Sequence, residues 1–396
     1  MPTRTGKSAA LVVAHVAGMI DLVALPVWVG TLMQHFHFDA QRAGMLVTLY
    51  LLFAVACSAF FARRFDRIRG HIAAPVGFAI ATAGFFALSQ TASFSGMCVA
   101  HALAGAGTGC GLSFAHGAIG RATNPHRLFA VSHLALALFA VVFLGGAPQV
   151  IAHAGGASLF MLFSALAATA FVVTASGFPR TSLNRDPLSP TELRSKSAGS
   201  AATRVPLATG CWSAIFGIVF MAVNQALVFS FVERIGMARG FGVPRINAVL
   251  IAVGLVNLLP PLLAALLQKR LDPRAVAIAG PIAQAVLALT ISRSTSFAPY
   301  AVATSLWVFA MIFTHTFLFG LLARLDTTGR AVASTPAMLM AGSAVGPLLG
   351  GILIVHAGFE AIGIAATVIS AISVLFLARL RGVAIVGAPL DAAPAP

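Results

Sequence analysis

Long apolar stretches without charge alternate with short polar ones along the whole chain. The apolar stretches cover residues 9–33, 44–62, 72–90, 95–118, 129–151, 157–178, 208–232, 246–267, 275–292, 297–322, 332–355 and 361–379. Each is close to the ~20 residues with which a helix crosses a bilayer. They are too long and too uniformly apolar for barrel strands, so they predict twelve membrane-spanning helices, numbered here as spans 1 to 12.

The composition agrees with an all-α membrane protein. Of the 396 residues, 59% are hydrophobic and 9% are charged, and the mean hydropathy is +0.95. Soluble domains carry about 25% charged residues, so a water-soluble fold could not cover its surface with so few. The four cysteines all lie in spans and lack metal-site spacing, which is typical of small apolar packing residues.

The chain has 25 Lys and Arg residues against 10 Asp and Glu residues, and their distribution explains the excess. If the N-terminus is cytoplasmic and the loops alternate, 20 basic residues lie on the cytoplasmic side and 5 on the other. Basic residues accumulate in the cytoplasmic loops of membrane proteins. The basicity therefore predicts a multi-pass protein of the plasma (inner) membrane with both termini cytoplasmic, and not a nucleic-acid-binding surface.

The second half of the chain echoes the first at an offset of 203 residues. The matching positions are Arg42 and Arg245, Gly77 and Gly280, Arg121 and Arg324, Arg127 and Arg330, and the His-Ala-Gly triplets at 153–155 and 356–358. Two six-helix halves in a parallel repeat are a transporter architecture, with the substrate site between them. We expect an N-terminal six-helix bundle at 1–178, a cytoplasmic linker at 179–207, a C-terminal bundle at 208–383 and a disordered tail at 384–396.

The loop between spans 2 and 3 carries a recognisable motif. Residues 62–70 read ARRFDRIRG and resemble the most characteristic motif of the major facilitator superfamily, with Asp66 and Arg67 in register. The family's form begins with Gly and ends in Gly-Arg, so the match is partial. A weaker echo between spans 8 and 9 includes Asp272 and Arg274. The resemblance covers essentially the whole chain and implies that these charges latch the cytoplasmic side closed; ordinary basic loops are the alternative.

Span 4 contains a second family-like pattern. Residues 101–107 read HALAGAG, similar to the family's Arg-x-x-x-Gly-x-Gly with His101 in place of the arginine. A buried arginine cannot titrate, whereas a histidine can. His101 is therefore a candidate for a second proton-coupling group or a substrate contact, and a structural role is equally compatible with the pattern.

Span 11 contains a third pattern, the sequence GSAVGPLLGG at residues 342–351. It matches a motif that belongs to span 5 in the family's drug/proton antiporters, whereas span 5 here has only the degenerate GGAP at 145–148. Glycines at this spacing allow close helix approach and a proline-bent segment. We expect Gly346 and Pro347 to act in gating, and the subfamily stays open.

Apart from Arg379 at the end of span 12, Asp21 is the only charged residue inside the predicted spans, and it lies near the middle of span 1. A charge at bilayer depth is costly and normally marks an ion or substrate pathway. The following Ala24-Leu25-Pro26 also resembles a drug-exporter pattern. Asp21 therefore predicts proton coupling, and a structural hydrogen bond between helices is the alternative. The repeat pairs Asp21 with the neutral amide Asn224 in span 7.

In the family, spans 1, 4, 7 and 10 line the central cavity, so their polar and aromatic residues are candidate substrate contacts. The predicted substrate-binding residues are Trp28, Asn224, Gln225, Thr304, Trp307, Met311 and His315. Asn224 and Gln225 could instead hold helices together. His15 lies about 120° around the helix from Asp21, and we expect a structural role for it. Glu233 and Arg234 are expected to form an extracellular gate pair or a boundary ion pair.

These features predict a monomeric secondary transporter that exports a small amphipathic organic molecule in exchange for protons by alternating access. Its expected partners are the substrate, protons and the lipid bilayer, with no cofactor beyond the proton gradient and no nucleic acid. The histidines in the spans lack a metalloenzyme motif and no nucleotide-binding loop is present, so we do not expect an enzyme or an ATP-driven pump. The alternatives are a proton-coupled importer of a small organic solute and a non-transporting receptor or assembly factor on the same fold.

Overall fold

The structure, a computed structural model, describes residues 4–62, 64–65, 67–122, 124–179, 209–326, 331 and 335–382. The helices of these described ranges are α1 Arg4–Gly18, α2 Asp21–Gln34, α3 Ala40–Ala62, α4 Gly70–Gln90, α5 Phe94–Gly120, α6 Pro125–Ala154, α7 Ala157–Gly177, α8 Thr209–Phe229, α9 Val232–Ala238, α10 Val243–Val256, α11 Leu259–Leu267, α12 Pro273–Arg293, α13 Phe297–Leu325, α14 Thr335–Ala357, α15 Glu360–Ala378 and a final 3-10 turn Arg379–Gly382.

Twelve helical stretches in the described ranges are long and apolar enough to cross a bilayer, which confirms the predicted all-α fold with twelve spans. Spans 1, 7 and 8 consist of two helices each, α1–α2, α8–α9 and α10–α11, and every other span is one helix. The predicted linker, apart from residue 179, and the predicted tail lie outside the described residues. The predicted domain boundaries there stay predictions.

The spans pack into two groups that follow the halves of the sequence. In the first half, span 4 packs on spans 2 and 3, span 3 on span 6, and span 1 on spans 4, 5 and 6. In the second half, span 11 packs on span 7, and span 9 packs on spans 10 and 12. The halves meet where span 2 contacts span 11, span 5 contacts span 8, and span 1 contacts span 7.

The repeat appears in the structure as matching contacts. The Arg42 guanidinium lies 5.4 Å from the ring centre of Phe94, and Arg245 lies 5.5 Å from the ring centre of Phe297, with both residues displaced by the same 203 positions. The glycines of the two His-Ala-Gly triplets also match, because both end their span in the left-handed backbone region, at φ 80° and φ 75°. The repeat in the sequence therefore corresponds to equivalent local structures in the two halves.

Span 1 departs from the repeat because its helix is interrupted where span 7 is continuous. The helix breaks at residues 19–20, whereas the equivalent residues of span 7 lie inside α8. Gly18 precedes the break, and Pro26 has no N–H to donate to the helix. The repeat replaces Gly18 by Met221, which favours an unbroken helix at that point, and span 7 breaks later, after Phe229.

The two halves touch closely at one end of the molecule. We call the end that contains Arg4 and most basic loops the basic end, and the other end the opposite end. Toward the opposite end, a Cβ atom on Gly44 would overlap with the carbonyl oxygen of Pro347, and one on Gly351 would overlap with that of Ala40. The two helices are thus in backbone contact, which only glycine allows at these positions.

The glycine motif of span 11 therefore has two packing faces. Gly342, Gly346 and Gly350 approach span 7 of the same half, where a Cβ on Gly346 would lie 2.5 Å from the Leu227 nitrogen. Pro347 and Gly351 face span 2 of the other half. Span 11 is thus held to its own half by one face while the other forms the inter-half contact.

Candidate functional site

Asp21 is the first residue of α2, directly after the break in span 1. Only 2% of its surface is exposed. Its carboxyl group faces the backbone amides of Asp21 and Leu22, and the phenol of Tyr50 in span 2 lies within electrostatic reach. In the described part of the chain, no basic side chain pairs with it. A carboxyl group without a counter-charge therefore sits at the centre of the first half.

Two opposing effects act on this carboxyl group. The backbone N–H groups of Asp21 and Leu22 at the start of α2 favour a negative charge. Burial among apolar side chains without an ion pair disfavours that charge. A small change in access to water therefore decides whether the ionised or the protonated form is held, which is the behaviour required of a proton carrier.

His101 and Trp28 form a buried hydrogen-bonded pair between spans 4 and 1. His101 Nδ1 lies 2.8 Å from the Met97 carbonyl oxygen, which can only accept, so Nδ1 carries the hydrogen. Trp28 Nε1, which can only donate, lies 3.2 Å from His101 Nε2. A proton added at Nε2 would face the Trp28 N–H group. This geometry holds His101 neutral and does not support the predicted proton-coupling role while the pair is intact.

Trp28 also lies in an aromatic cluster inside the first half. Its ring packs edge-on against Tyr50 at 4.9 Å and against Phe163 at 4.7 Å, and it stacks on His101 at 5.6 Å. None of its surface is exposed. The structure therefore uses Trp28 for packing in this conformation, in contrast to the predicted substrate contact, because α2 turns this ring into its own half.

Replacing Trp28 by phenylalanine is expected to lower stability by about 1–3 kcal/mol, because His101 Nε2 then stays buried without a donor. Thermal unfolding of the purified protein measures this loss. Trp212→Phe is the matched control, since that indole is 48% exposed. Equal unfolding temperatures for the two variants would show that the Trp28–His101 bond does not stabilise the fold.

The predicted substrate contacts of span 7 point in different directions. Asn224 Nδ2 donates to Ser370 Oγ at 2.8 Å and to the Ala366 carbonyl oxygen at 3.2 Å, both in span 12. Asn224 thus joins two helices of its own half, as in the structural alternative. Gln225 accepts at its backbone oxygen from Trp307 Nε1, 3.4 Å away, and its side-chain Oε1 is buried without a hydrogen-bond partner. Gln225 therefore stays a predicted substrate contact.

The predicted residues of span 10 lie along one buried face. Thr304, Trp307, Met311 and His315 are all at most 5% exposed. The His315 ring stacks on Phe319 at 5.5 Å, and its Nε2 atom is buried without a hydrogen-bond partner. These four side chains stay predicted substrate contacts that are closed to solvent in this conformation.

Among the described latch residues, Asp272 and Arg274 contact each other at the start of span 9. Asp66 lies outside the described residues, and Arg67 lines a groove of about 640 Å³ between spans 2, 3 and 4. Asp272 caps span 9, because its carboxylate accepts from the backbone N–H groups of Arg274 and Ala275 at 3.2 and 3.1 Å. A local helix cap accounts for Asp272, and the latch stays a prediction.

Glu233 belongs to the site region, although the sequence placed it beyond the end of span 7. Span 7 continues through α9 and contains Glu233, so Asp21 is not the only acidic residue in the membrane-spanning helices. The Glu233 carboxylate lies within electrostatic reach of Arg234, so the predicted pair stays a prediction, and it lies against span 1, where a Cβ on Gly30 would be 2.6 Å from its Oε1 atom. The helical continuation of residues 232–238 was the signal that could have revealed this. The inter-half contact thus contains a carboxyl group.

Comparisons with known proteins agree with this architecture. The sequence model of the Major Facilitator Superfamily matches residues 10–325. A search of curated protein sequences gives no match.

Several solved structures share the fold. A D-xylose-proton symporter has a TM-score of 0.71 at 14% identity, covering 95% of this chain and 97% of its own. The nucleoside transporter NupG has a TM-score of 0.69 at 13% identity, covering 95% and 99%. The human organic anion transporter MFSD10 (TETRAN) has a TM-score of 0.66 at 13% identity, covering 95% and 100%. At these identities the likeness establishes the fold.

Proposed function

Because the chain belongs to the Major Facilitator Superfamily and has its transporter fold, we propose that it exports a small amphipathic organic molecule in exchange for protons. The observation that carries the proposal is Asp21, a buried carboxyl group at the break in span 1 that has no ion-pair partner among the described residues. Substrate sites of such transporters lie near the midplane, beside interrupted helices.

The proposed cycle uses the inter-half contact at the opposite end. In the described conformation span 2 meets span 11, with the Leu348 N–H donating to Thr48 Oγ1 at 3.2 Å, and Glu233 meets Gly30. We place the basic end in the cytoplasm, from the distribution of basic residues. Rocking of the halves would open the opposite end and release the substrate there.

The proposed division of labour between the halves follows from their side chains. The first half carries the proton at Asp21, and the second half binds the substrate through Gln225, Trp307, Met311 and His315. Apolar and aromatic walls with a few hydrogen-bonding groups suit an amphipathic ligand. A proton on Asp21 removes the negative charge from the site. In the proposed cycle the two halves rock with either the proton or the substrate bound, so the substrate and the proton compete.

Import by proton symport is the second candidate, since one structure of the same fold is a D-xylose-proton symporter. The two directions predict opposite signs of proton movement. In symport the substrate and the proton cross the membrane together, whereas in antiport they cross in opposite directions.

The test uses the purified protein in vesicles with a lumenal pH dye. Amphipathic cations, neutral drugs and small organic acids are added one at a time, and protein-free vesicles serve as the control. We expect at least one compound to drive proton movement with the sign of antiport. Movement with the opposite sign would establish symport. Substrate flux without any proton movement would contradict proton coupling, and no flux with a binding compound would favour a non-transporting receptor.

A further inference from the structure

Three histidines from three spans meet in the first half, away from Asp21 and His101. The His15 ring of span 1 lies 5.1 Å from the His116 ring of span 4 and 4.9 Å from the His133 ring of span 5, measured between centroids. We call these three residues the His cluster. His116 lies one turn from the basic end of its span. The sequence predicted a structural role for His15 alone and gave no sign of the cluster.

The hydrogen bonds of the His cluster leave room for a proton. His15 Nδ1 lies 2.9 Å from His116 Nε2, so one of these nitrogens donates to the other. His133 Nδ1 donates to the Phe129 carbonyl oxygen at 2.8 Å. His15 Nε2 is fully buried and has no hydrogen-bond partner. The linked pair therefore has an unused nitrogen, His15 Nε2, that can take up a proton while the His15–His116 bond stays intact.

The geometry of the His cluster does not suit a metal ion. Metal-binding imidazoles point their nitrogens at one common point. Here two nitrogens are engaged with each other and a third with a backbone carbonyl. Among the described residues no group of three potential ligands converges on a metal position.

No acidic side chain balances the His cluster. Helix α1, which carries His15, packs on spans 4, 5 and 6. The other titratable or charged side chains described on these spans and on span 1 are Lys7 and Asp21 in span 1, His101, Cys98 and Cys110 in span 4, and Arg127 and His153 in span 5; span 6 has none. Of all these groups, only His116 and His133 act electrostatically on His15. A proton on the cluster therefore creates a buried positive charge without a counter-charge.

We propose that the His cluster binds the anionic group of a small organic acid together with one proton. The proton from water occupies an imidazole nitrogen, and the anion supplies the missing counter-charge, so the loaded site is neutral overall. His133 is exposed and His116 is half-buried, so the anion reaches the cluster from that side. This goes beyond the proposed function, because it gives the first half a second ligand site that is separate from Asp21 and from the substrate contacts of the second half.

The test is 15N NMR of the purified, histidine-labelled protein, titrated with benzenesulfonate. This probe stays ionised between pH 5 and 8, so any pH dependence belongs to the protein. We expect the His15 and His116 signals to move at low pH, with an affinity that falls by up to about tenfold per pH unit as the cluster loses its proton. Methyl phenyl sulfone is the neutral control and should leave them in place. The His101 signal is an internal reference that should not move.

Two exposed histidines of span 5 provide matched variants. His133 and His153 make the same hydrogen bond, from Nδ1 to the carbonyl oxygen four residues earlier, at 2.8 Å. We expect His133→Gln to weaken probe binding several-fold and His153→Gln to leave it unchanged. Binding that is independent of pH, or equal for the sulfone, would overturn the proposal. Because no gradient is involved, Asp21→Asn should keep the response, which separates this site from the proposed coupling.

Discussion

Asp21→Asn is expected to abolish proton-driven accumulation of substrate while exchange of substrate across the membrane continues. The amide has nearly the shape of the protonated carboxyl group but cannot release a proton. A gradient of one pH unit is worth ~1.4 kcal/mol per proton, or about tenfold accumulation. The variant should therefore reach only simple equilibration, whereas wild type exceeds it.

The measurement follows one substrate in two assays on the same vesicles. Accumulation is recorded against an imposed pH gradient, and counterflow is recorded without one. Asp39→Asn is the matched control, because Asp39 lies in a loop with 53% of its side chain exposed. Gradient-driven accumulation by the Asp21 variant at the wild-type level would make Asp21 a structural residue.

Gly44→Ala and Gly351→Ala are expected to shift the protein away from the conformation described here. In each variant the new methyl group overlaps with a backbone carbonyl oxygen of the other half. Overpacking costs about 1–3 kcal/mol, so the population of conformations open at the opposite end should rise by roughly 5- to 150-fold. Gly146→Ala is the matched control, since a Cβ there meets no atom within 4 Å.

The distance between two spin labels at the opposite end measures this shift. Ala92→Cys and Thr295→Cys place the labels at repeat-related loop positions, after Cys57, Cys98, Cys110 and Cys211 have been replaced. The two glycine variants should show a larger share of long distances than wild type, and the control should not. Identical distance distributions in all the proteins would show that the contact between spans 2 and 11 does not set the conformational balance.

The features that the sequence could predict are those that follow from a pattern along the chain, either a local one or one that repeats. Span number follows from apolar length, and the repeat follows from residues such as Arg42 and Arg245, whose contacts in the structure also match. The break at Asp21 was not predicted, although Gly18 and Pro26 supply a local reason for it. Patterns along the sequence thus predict the fold and the position of the buried carboxyl group.

The pairings inside the site depend on how helices distant in sequence rotate against one another. Trp28 meets His101 across 73 positions, and Asn224 meets Ser370 across 146. An apolar helix offers several nearly equivalent faces to its neighbours, because the sequence around such a residue is apolar on every side. The sequence therefore identified polar candidates but could not say which of them face the same neighbour.

Substrate-triggered proton release from the purified protein tests proton coupling through Asp21 most directly. The protein is placed in detergent with weak buffer, and a transported compound is added while the pH is recorded. Competition between substrate and proton predicts release in wild type and none in Asp21→Asn, with both proteins folded and binding the compound. Equal release from the two proteins would contradict the assignment of the coupled proton to Asp21.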